Sequence, residues 1–119
     1  MNTIISNFKN IKSIINNSNV NIIAVSKTFS LDHIKPLIDY GHVHFGENKV
    51  QEALAKWSFI KKENNHLKLH MIGSLQTNKA KKCFELFDYV HSLDNEKLAK
   101  VFFNCEKSSR KKISYFFIP

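Results

Sequence analysis

Short apolar runs alternate along the chain with longer segments in which apolar residues recur at three- and four-residue steps. The runs are typical of buried strands, and the longer segments are typical of amphipathic helices with one apolar face. A helix with apolar residues from Ile4 to Ile15 comes first, and one helix follows each of the first four strands. This order, α-βα-βα-βα-βα-β, predicts parallel strands with the helices outside a sheet or barrel. The predicted strands span residues 21–26, 42–46, 67–72, 89–92 and 113–118.

Polar residues mark where the helices are expected to begin. The expected cap residues of the second to fifth helices are Ser30, Asn48, Thr77 and Asp94. Gln51, three residues after Asn48, is in the position of the reciprocal partner of a capping box. Gly41 is expected to end the second helix, whereas Pro36 should kink that helix or delay its start. The first strand, nearly all apolar, is expected to be buried on both faces.

Composition places the chain among ordinary globular proteins of about one domain. It has 119 residues, of which 43% are hydrophobic and 24% charged, which argues against a disordered chain. No stretch approaches the roughly 18 uncharged apolar residues of a membrane span. Residues Met1 to Asn19 lack the uninterrupted apolar centre of a signal peptide. The two cysteines give neither a disulfide framework nor zinc-ligand spacing, and both are expected to be packing residues on apolar helix faces. The cytoplasm is therefore the expected compartment.

The formal charge of +8 raises the alternative of a lysine-rich nucleic-acid-binding fragment. Arg110 is the only arginine among the eighteen basic residues. Arginine is the residue that reads bases and forks onto phosphates, so its near absence argues against a nucleic-acid partner.

The candidate chemistry follows the strands. In parallel α/β folds, ligands bind at the loops that follow the carboxyl ends of the strands. A lysine directly after a buried strand, as Lys27 is, can point its amine into a pocket and away from bulk water, as a Schiff-base lysine requires. The four loops contain Ser26-Lys27-Thr28, Gly46-Glu47-Asn48, Gly73-Ser74-Leu75-Gln76 and Ser92-Leu93-Asp94.

Each of these residues also has an ordinary structural explanation. Taken alone, Lys27 is more often a solvated charge, Asn48 and Asp94 are helix caps, and Glu47 is a surface carboxylate. His70 is expected to be a satisfied core histidine and not a proton carrier.

Taken together, four motifs in the chain resemble those of the pyridoxal phosphate homeostasis proteins, also known as the proline synthetase co-transcribed family. The motifs occur in the family's order and spacing between Ile22 and Ile118. They are Ala24-Val25-Ser26-Lys27-Thr28, then Phe45-Gly46-Glu47-Asn48-x-Val50-Gln51-Glu52-Ala53, then His70-x-Ile72-Gly73-x-Leu75-Gln76-x-Asn78-Lys79, and His91-Ser92-x-Asp94-x-x-Lys97-Leu98.

The resemblance implies a TIM barrel like the N-terminal domain of alanine racemase, with an extra N-terminal helix. It implies that Lys27 carries pyridoxal 5'-phosphate (PLP) as a Schiff base and that Asn48, Gly73 and Ser92 line the cofactor pocket. Members of the family are regarded as carriers or buffers of vitamin B6. They lack the second domain of alanine racemase, so a binding protein is expected and no enzyme. A PLP-dependent enzyme resembling an amino-acid racemase is the remaining alternative.

The chain is short for this fold. A complete (β/α)₈ barrel takes about 250 residues, whereas this sequence supplies four βα units and a fifth strand. Residues 1–20 are expected to form the extra helix and residues 21–119 the N-terminal half of a barrel, giving a truncated and weakened or inactive copy. Such a half sheet has two unpaired edges, through which self-association is possible.

Overall fold

Helices and parallel strands alternate in the order that the hydrophobic pattern predicts. The computed structural model of the chain describes residues 3–15 and 20–119. Its helices are α1 (Thr3–Ile15), α2 (Leu31–Tyr40), α3 (Val50–Glu63), α4 (Ala80–Leu86) and α5 (Glu96–Lys107), with a 3₁₀ turn at Thr77–Lys79. Its strands are β1 (Ala24–Val25), β2 (His44–Glu47), β3 (Lys68–Met71), β4 (Tyr89–Leu93) and β5 (Ser114–Phe117). The expected α/β class is confirmed.

The five strands form one parallel sheet whose spatial order is the same as the chain order, from β1 to β5. Strands that pair in parallel register place facing residues on the same side of the sheet. Phe45 lies beside Leu69 on one side, and Gly46 lies beside His70 on the other. All carboxyl ends of the strands therefore meet at one edge of the sheet.

The hydrophobic core lies between the helices and one face of this sheet. Phe45 on β2, Leu69 on β3 and Val90 on β4 are buried there against Trp57 of α3 and Phe102 of α5. Apolar strand positions fill this layer because burial removes about 25 cal/mol of unfavourable hydration per Å².

Both cysteines are packing residues, as expected. Cys83 is buried in the core and Cys105 packs against it, and neither forms a disulfide. Burial raises the pKa of the Cys83 thiol to about 12, so that it remains protonated and unreactive.

The first strand differs from the prediction. Residues 21–26 were expected to form a strand buried on both faces. Instead β1 has only two residues, and Val25 is 50% exposed. As an edge strand, β1 pairs with β2 alone, and the helices cover only one of its faces.

One of the expected helix caps is confirmed and three are wrong. The Ser30 side chain accepts from the backbone N–H of His33, and Gly41 ends α2 with a left-handed φ of 107°. Asn48 is one residue too early, because α3 has Lys49 at its N-cap position, without a side-chain bond. Asn95 and not Asp94 caps α5, its side chain accepting from the N–H of Leu98.

Two further details concern the starts of the helices. Thr77 begins the 3₁₀ turn that leads into α4 and does not cap a helix, contrary to the prediction. Of the two expected effects of Pro36, a delayed start does not occur, since α2 begins at Leu31 and continues through the proline to Tyr40.

The first helix packs mainly against α2. Ile4, Ile5 and Phe8 are partly buried against the core, whereas Ile14 is 84% exposed. After this helix the apolar pattern is broken by a polar stretch from Asn16 to Asn21, of which residues 16–19 lie outside the described residues. Within residues 3–15 and 20–119, no helix has both the length and the apolar character needed to cross a membrane.

Candidate functional site

The four predicted site residues lie at the carboxyl edge of the sheet. Lys27 follows β1 after one intervening residue, Asn48 comes directly after β2, and Gly73 follows β3 after one residue. Ser92 is the penultimate residue of β4. Because β1 to β4 are successive neighbours in a parallel sheet, their ends form one continuous rim.

Lys27 lies in the turn between β1 and α2, and its side chain is exposed. Of the two interpretations of Lys27, this structure has the solvated charge and not the amine held away from bulk water. The turn has an unusual conformation, since Thr28 has a left-handed φ of 67°. A β-branched residue in that region stores strain of about 1–3 kcal/mol, which the surrounding contacts must hold. The turn is closed by the Phe29 N–H, which donates to the Ser26 carbonyl at 3.2 Å.

Asn48 and Gly73 are brought into direct contact. A Cβ atom built on Gly73 would lie 2.7 Å from the Asn48 Cβ and 2.8 Å from its carbonyl oxygen. Only glycine allows the loops after β2 and β3 to approach this closely. Among residues 3–15 and 20–119, the half-buried Asn48 side chain makes no hydrogen bond.

Gly73→Ala is expected to destabilise the chain by about 1–3 kcal/mol, because the new methyl group would force apart the two loop backbones. Gly46→Ala is the matched control, since its Cβ would meet only side-chain carbons of Ile72 and Ile23 at 3.1–3.4 Å. Urea denaturation of both variants measures the difference. Equal losses of stability would contradict the close approach at Gly73.

Ser92, the penultimate residue of β4, has a buried and unsatisfied hydroxyl. The residue is 7% exposed, and its Oγ has no hydrogen-bond partner within the described part of the chain. Leaving a buried hydroxyl unpaired costs about 1–3 kcal/mol, so a ligand atom that supplied the missing bond would be favoured. The combination of this hydroxyl with the Asn48 amide and an accessible amine fits an aldehyde-bearing, polar cofactor such as PLP.

Glu47 is not the surface carboxylate expected from the sequence. It is completely buried, and its Oε2 atom accepts from the Ser26 hydroxyl at 2.6 Å, from Lys56 Nζ at 2.9 Å and from Trp57 Nε1 at 3.0 Å. The contact between Glu47 and Lys56 could not be predicted from a local sequence pattern, because it connects the end of β2 with the second turn of α3.

A row of three histidines crosses the sheet face opposite the helices. Nδ1 of His44 lies 2.9 Å from Nε2 of His70, and Nδ1 of His70 lies 2.9 Å from Nε2 of His91. The His70 ring also stacks on Tyr89, with centroids 4.2 Å apart. His70 is thus the satisfied core histidine that was expected. Burial is the largest cause that lowers the pKa of all three, and that of His70 falls to about 4.

Comparison with known sequences finds similar proteins, although no family model matches the chain. Proteins named pyridoxal phosphate homeostasis protein from Pasteurella multocida and Vibrio cholerae are each 42% identical to it, over 82 and 84 residues. A third, from Buchnera aphidicola of Schizaphis graminum, is 45% identical over 80 residues. The alignments cover 67–69% of this chain but only 34–36% of the relatives. The chain spans about a third of the length of these curated relatives.

Solved structures agree with the sequence matches. PipY of Synechococcus elongatus, determined both without PLP and with PLP bound, superposes with a TM-score of 0.80 and 34% identity, over 90% of this chain and about half of PipY. A protein of unknown function from Bifidobacterium adolescentis has the same fold at a TM-score of 0.74 and 22% identity. The parallel sheet with its outer helices is therefore part of a TIM-barrel-like fold, as the resemblance implied. On sequence and fold together, the chain belongs to the pyridoxal phosphate homeostasis protein family.

Proposed function

We propose that the chain binds PLP at the carboxyl rim of its sheet and serves in the homeostasis of this cofactor, in the cytoplasm. The observation that carries the proposal is the rim itself, where an accessible lysine follows β1, an unbonded amide follows β2 and an unsatisfied hydroxyl lies near the end of β4. A relative of the same fold, PipY, has been solved with PLP bound. The free thiols of both cysteines are consistent with a reducing compartment.

Lys27 is the residue proposed to hold the cofactor covalently. Its Nζ would form a C=N bond to the aldehyde carbon of PLP with loss of one water molecule. The exposure of Lys27 makes the amine accessible to a ligand that arrives from solvent. Its position directly after Ser26, which is 1% exposed, anchors the lysine backbone at the end of the sheet.

The other rim residues are proposed to orient the cofactor. The Asn48 amide and the Ser92 hydroxyl offer hydrogen bonds, and Gly73 lets the intervening loops close up. Glu47 is completely buried, with its Oε2 atom occupied by three donors and its Oε1 atom without a hydrogen-bond partner among the described residues. This buried carboxylate is therefore not offered as an acid or base to a bound ligand, which favours a binding protein over a racemase-like enzyme.

Borohydride reduction of the PLP-treated chain, followed by peptide mass spectrometry, tests the proposal. We expect the reduced adduct on Lys27 in the wild type and its complete loss in Lys27→Ala. Lys49→Ala and Lys79→Ala are the controls and should retain the adduct. Lys49 is the N-cap residue of α3 and lies 4.0 Å from the Glu52 carboxylate, and Lys79 ends the 3₁₀ turn before α4.

An adduct found chiefly on another lysine, or no adduct at all, would overturn the assignment of Lys27. A nucleic-acid-binding fragment would instead show salt-dependent binding of an oligonucleotide that survives Lys27→Ala.

A further inference from the structure

We propose that the ion pair of Glu47 and Lys56 positions Lys27, by fixing the backbone from which this lysine reaches its ligand. The inference rests on the proposed function, since it assigns to the pair a role in PLP binding. Neither residue touches the rim surface, so both would act as positioning residues through Ser26.

Lys56 connects three elements at one point. From α3, its Nζ donates to Glu47 Oε2 at the end of β2 at 2.9 Å and to the Ser26 carbonyl, after β1, at 2.8 Å. The side chains of the pair are only 12% and 0% exposed. Solvent screening, which removes most of the value of a surface ion pair, is therefore weak here.

Ser26 is bonded through each of its polar groups. Its N–H donates to the Gly46 carbonyl at 2.9 Å, and its hydroxyl lies 2.6 Å from Glu47 Oε2 and 3.2 Å from the Gly46 carbonyl. Lys56 supplies the bond to the remaining group, the carbonyl. The residue that precedes Lys27 is thus held from β2 and from α3 at once.

The turn that follows needs such an anchor. β1 contributes only two residues to the sheet, and the turn contains the strained Thr28. A strained backbone persists only where its surroundings over-determine it. The Ser26 carbonyl accepts both from Lys56 and from the Phe29 N–H across the turn. Without Lys56, the bond to α3 is lost and the bond within the turn remains.

Stability alone is a poor explanation for this pair. Replacing a buried ion pair by apolar residues of similar size is often neutral or stabilising, because desolvation of the charges offsets their attraction. A role in fixing one backbone geometry is the better-attested use of buried polar groups.

The chain offers a closely matched control on the same helix. Lys61 also bridges a carboxylate and a carbonyl, those of Asp88 and Leu86, and the side chains of its ion pair are 16% and 19% exposed. Asp88 directly precedes β4, so this second bridge lies at the amino ends of the strands, whereas Lys27 lies at their carboxyl ends. Lys56→Met and Lys61→Met therefore remove similar bridges at opposite edges.

The two variants are compared by PLP titration followed by absorbance, and by amide hydrogen exchange of residues 27–29 without PLP. We expect Lys56→Met to weaken PLP binding at least tenfold and to speed exchange in the turn. Lys61→Met should change the affinity less than twofold and leave exchange in the turn unchanged. Affinities are compared per folded molecule, measured by circular dichroism.

A second variant keeps the test decisive if Lys56→Met fails to fold. Glu47→Gln preserves the shape and an acceptor for Ser26 and Trp57 while removing the charge, and should show the same two effects with a smaller loss of affinity. Equal effects of the changes at both edges, or none at either, would overturn the inference. Failure of the wild type to form the Lys27 adduct would instead overturn the proposed function, and the exchange rates would still show whether the pair fixes the turn.

Discussion

Trp57→Ala is expected to lower the free energy of unfolding by about 4–8 kcal/mol, a large part of the stability of a small domain. Trp57 is completely buried, its ring centroid lies 5.0 Å from that of Phe45, and its Nε1 donates to Glu47 at 3.0 Å. Truncating a buried aromatic residue to alanine costs about 3–5 kcal/mol, and loss of the donor to a buried carboxylate adds about 1–3 kcal/mol. Small domains have only about 5–15 kcal/mol of total stability.

Trp57→Phe separates the two contributions. It keeps an aromatic ring against Phe45 but removes the N–H, so it should cost less than half of what alanine costs. Urea denaturation followed by far-UV circular dichroism measures all three proteins. A Trp57→Ala chain with a midpoint close to that of the wild type would show that α3 is not anchored through this side chain.

The histidine row predicts a loss of stability in mild acid. The pKa of His70 is about 4 because of burial, with contributions from the neighbouring charges of His44 and His91, while Asp88 opposes the shift. In the unfolded chain the same ring titrates near 6.5. Protons therefore bind preferentially to the unfolded state, and the stabilisation is complete above about pH 6.5 and lost progressively towards pH 4. For His70 alone the loss amounts to about 2 kcal/mol by pH 5 and about 3 kcal/mol at pH 4.

His70→Gln should reduce this dependence by at least half, because an amide keeps hydrogen-bonding capacity between His44 and His91 without gaining a charge. His66→Gln, in the exposed turn after α3, is the control and should retain the full dependence. The free energy of unfolding is measured at pH 7 and pH 5, where most carboxylates are already ionised. Parallel pH profiles for His70→Gln and the wild type would exclude the row as the cause.

The fold was predictable from the chain because its strands and helices differ in hydrophobic period. Runs such as Tyr89–Leu93 and faces such as that of α5 are local patterns, and the alternation between them implies a parallel sheet. Helix starts were less predictable, since neighbouring residues compete for the same position. Asp94 and Asn95 are equally good caps, and only the packing of α5 selects Asn95.

The rim could be located from sequence, but its supports could not. The position of Lys27 after a strand is a local feature, whereas the burial of Glu47 depends on Lys56 and Trp57, nine and ten residues further on. The histidine row likewise exists only once the register of β2, β3 and β4 is known. The short, half-exposed β1 was not predicted, because its nearly all-apolar residues indicated a longer strand covered on both faces.

Because the strands follow their chain order, the free energy needed to open the sheet locally differs from one end of the sheet to the other. Each strand contacts only its neighbours in the chain, so the end unit of β1 and α2 can open without disturbing the pairing of β3 with β4. The unit that carries Lys27 is thus held by the shortest strand. A ligand that bridges this edge to the next loops adds RT ln(1 + [L]/Kd) to the cost of opening it. Ligand binding and the closing of this edge are then thermodynamically coupled. The free cofactor concentration determines the fraction of molecules in which β1 and α2 are detached from the sheet.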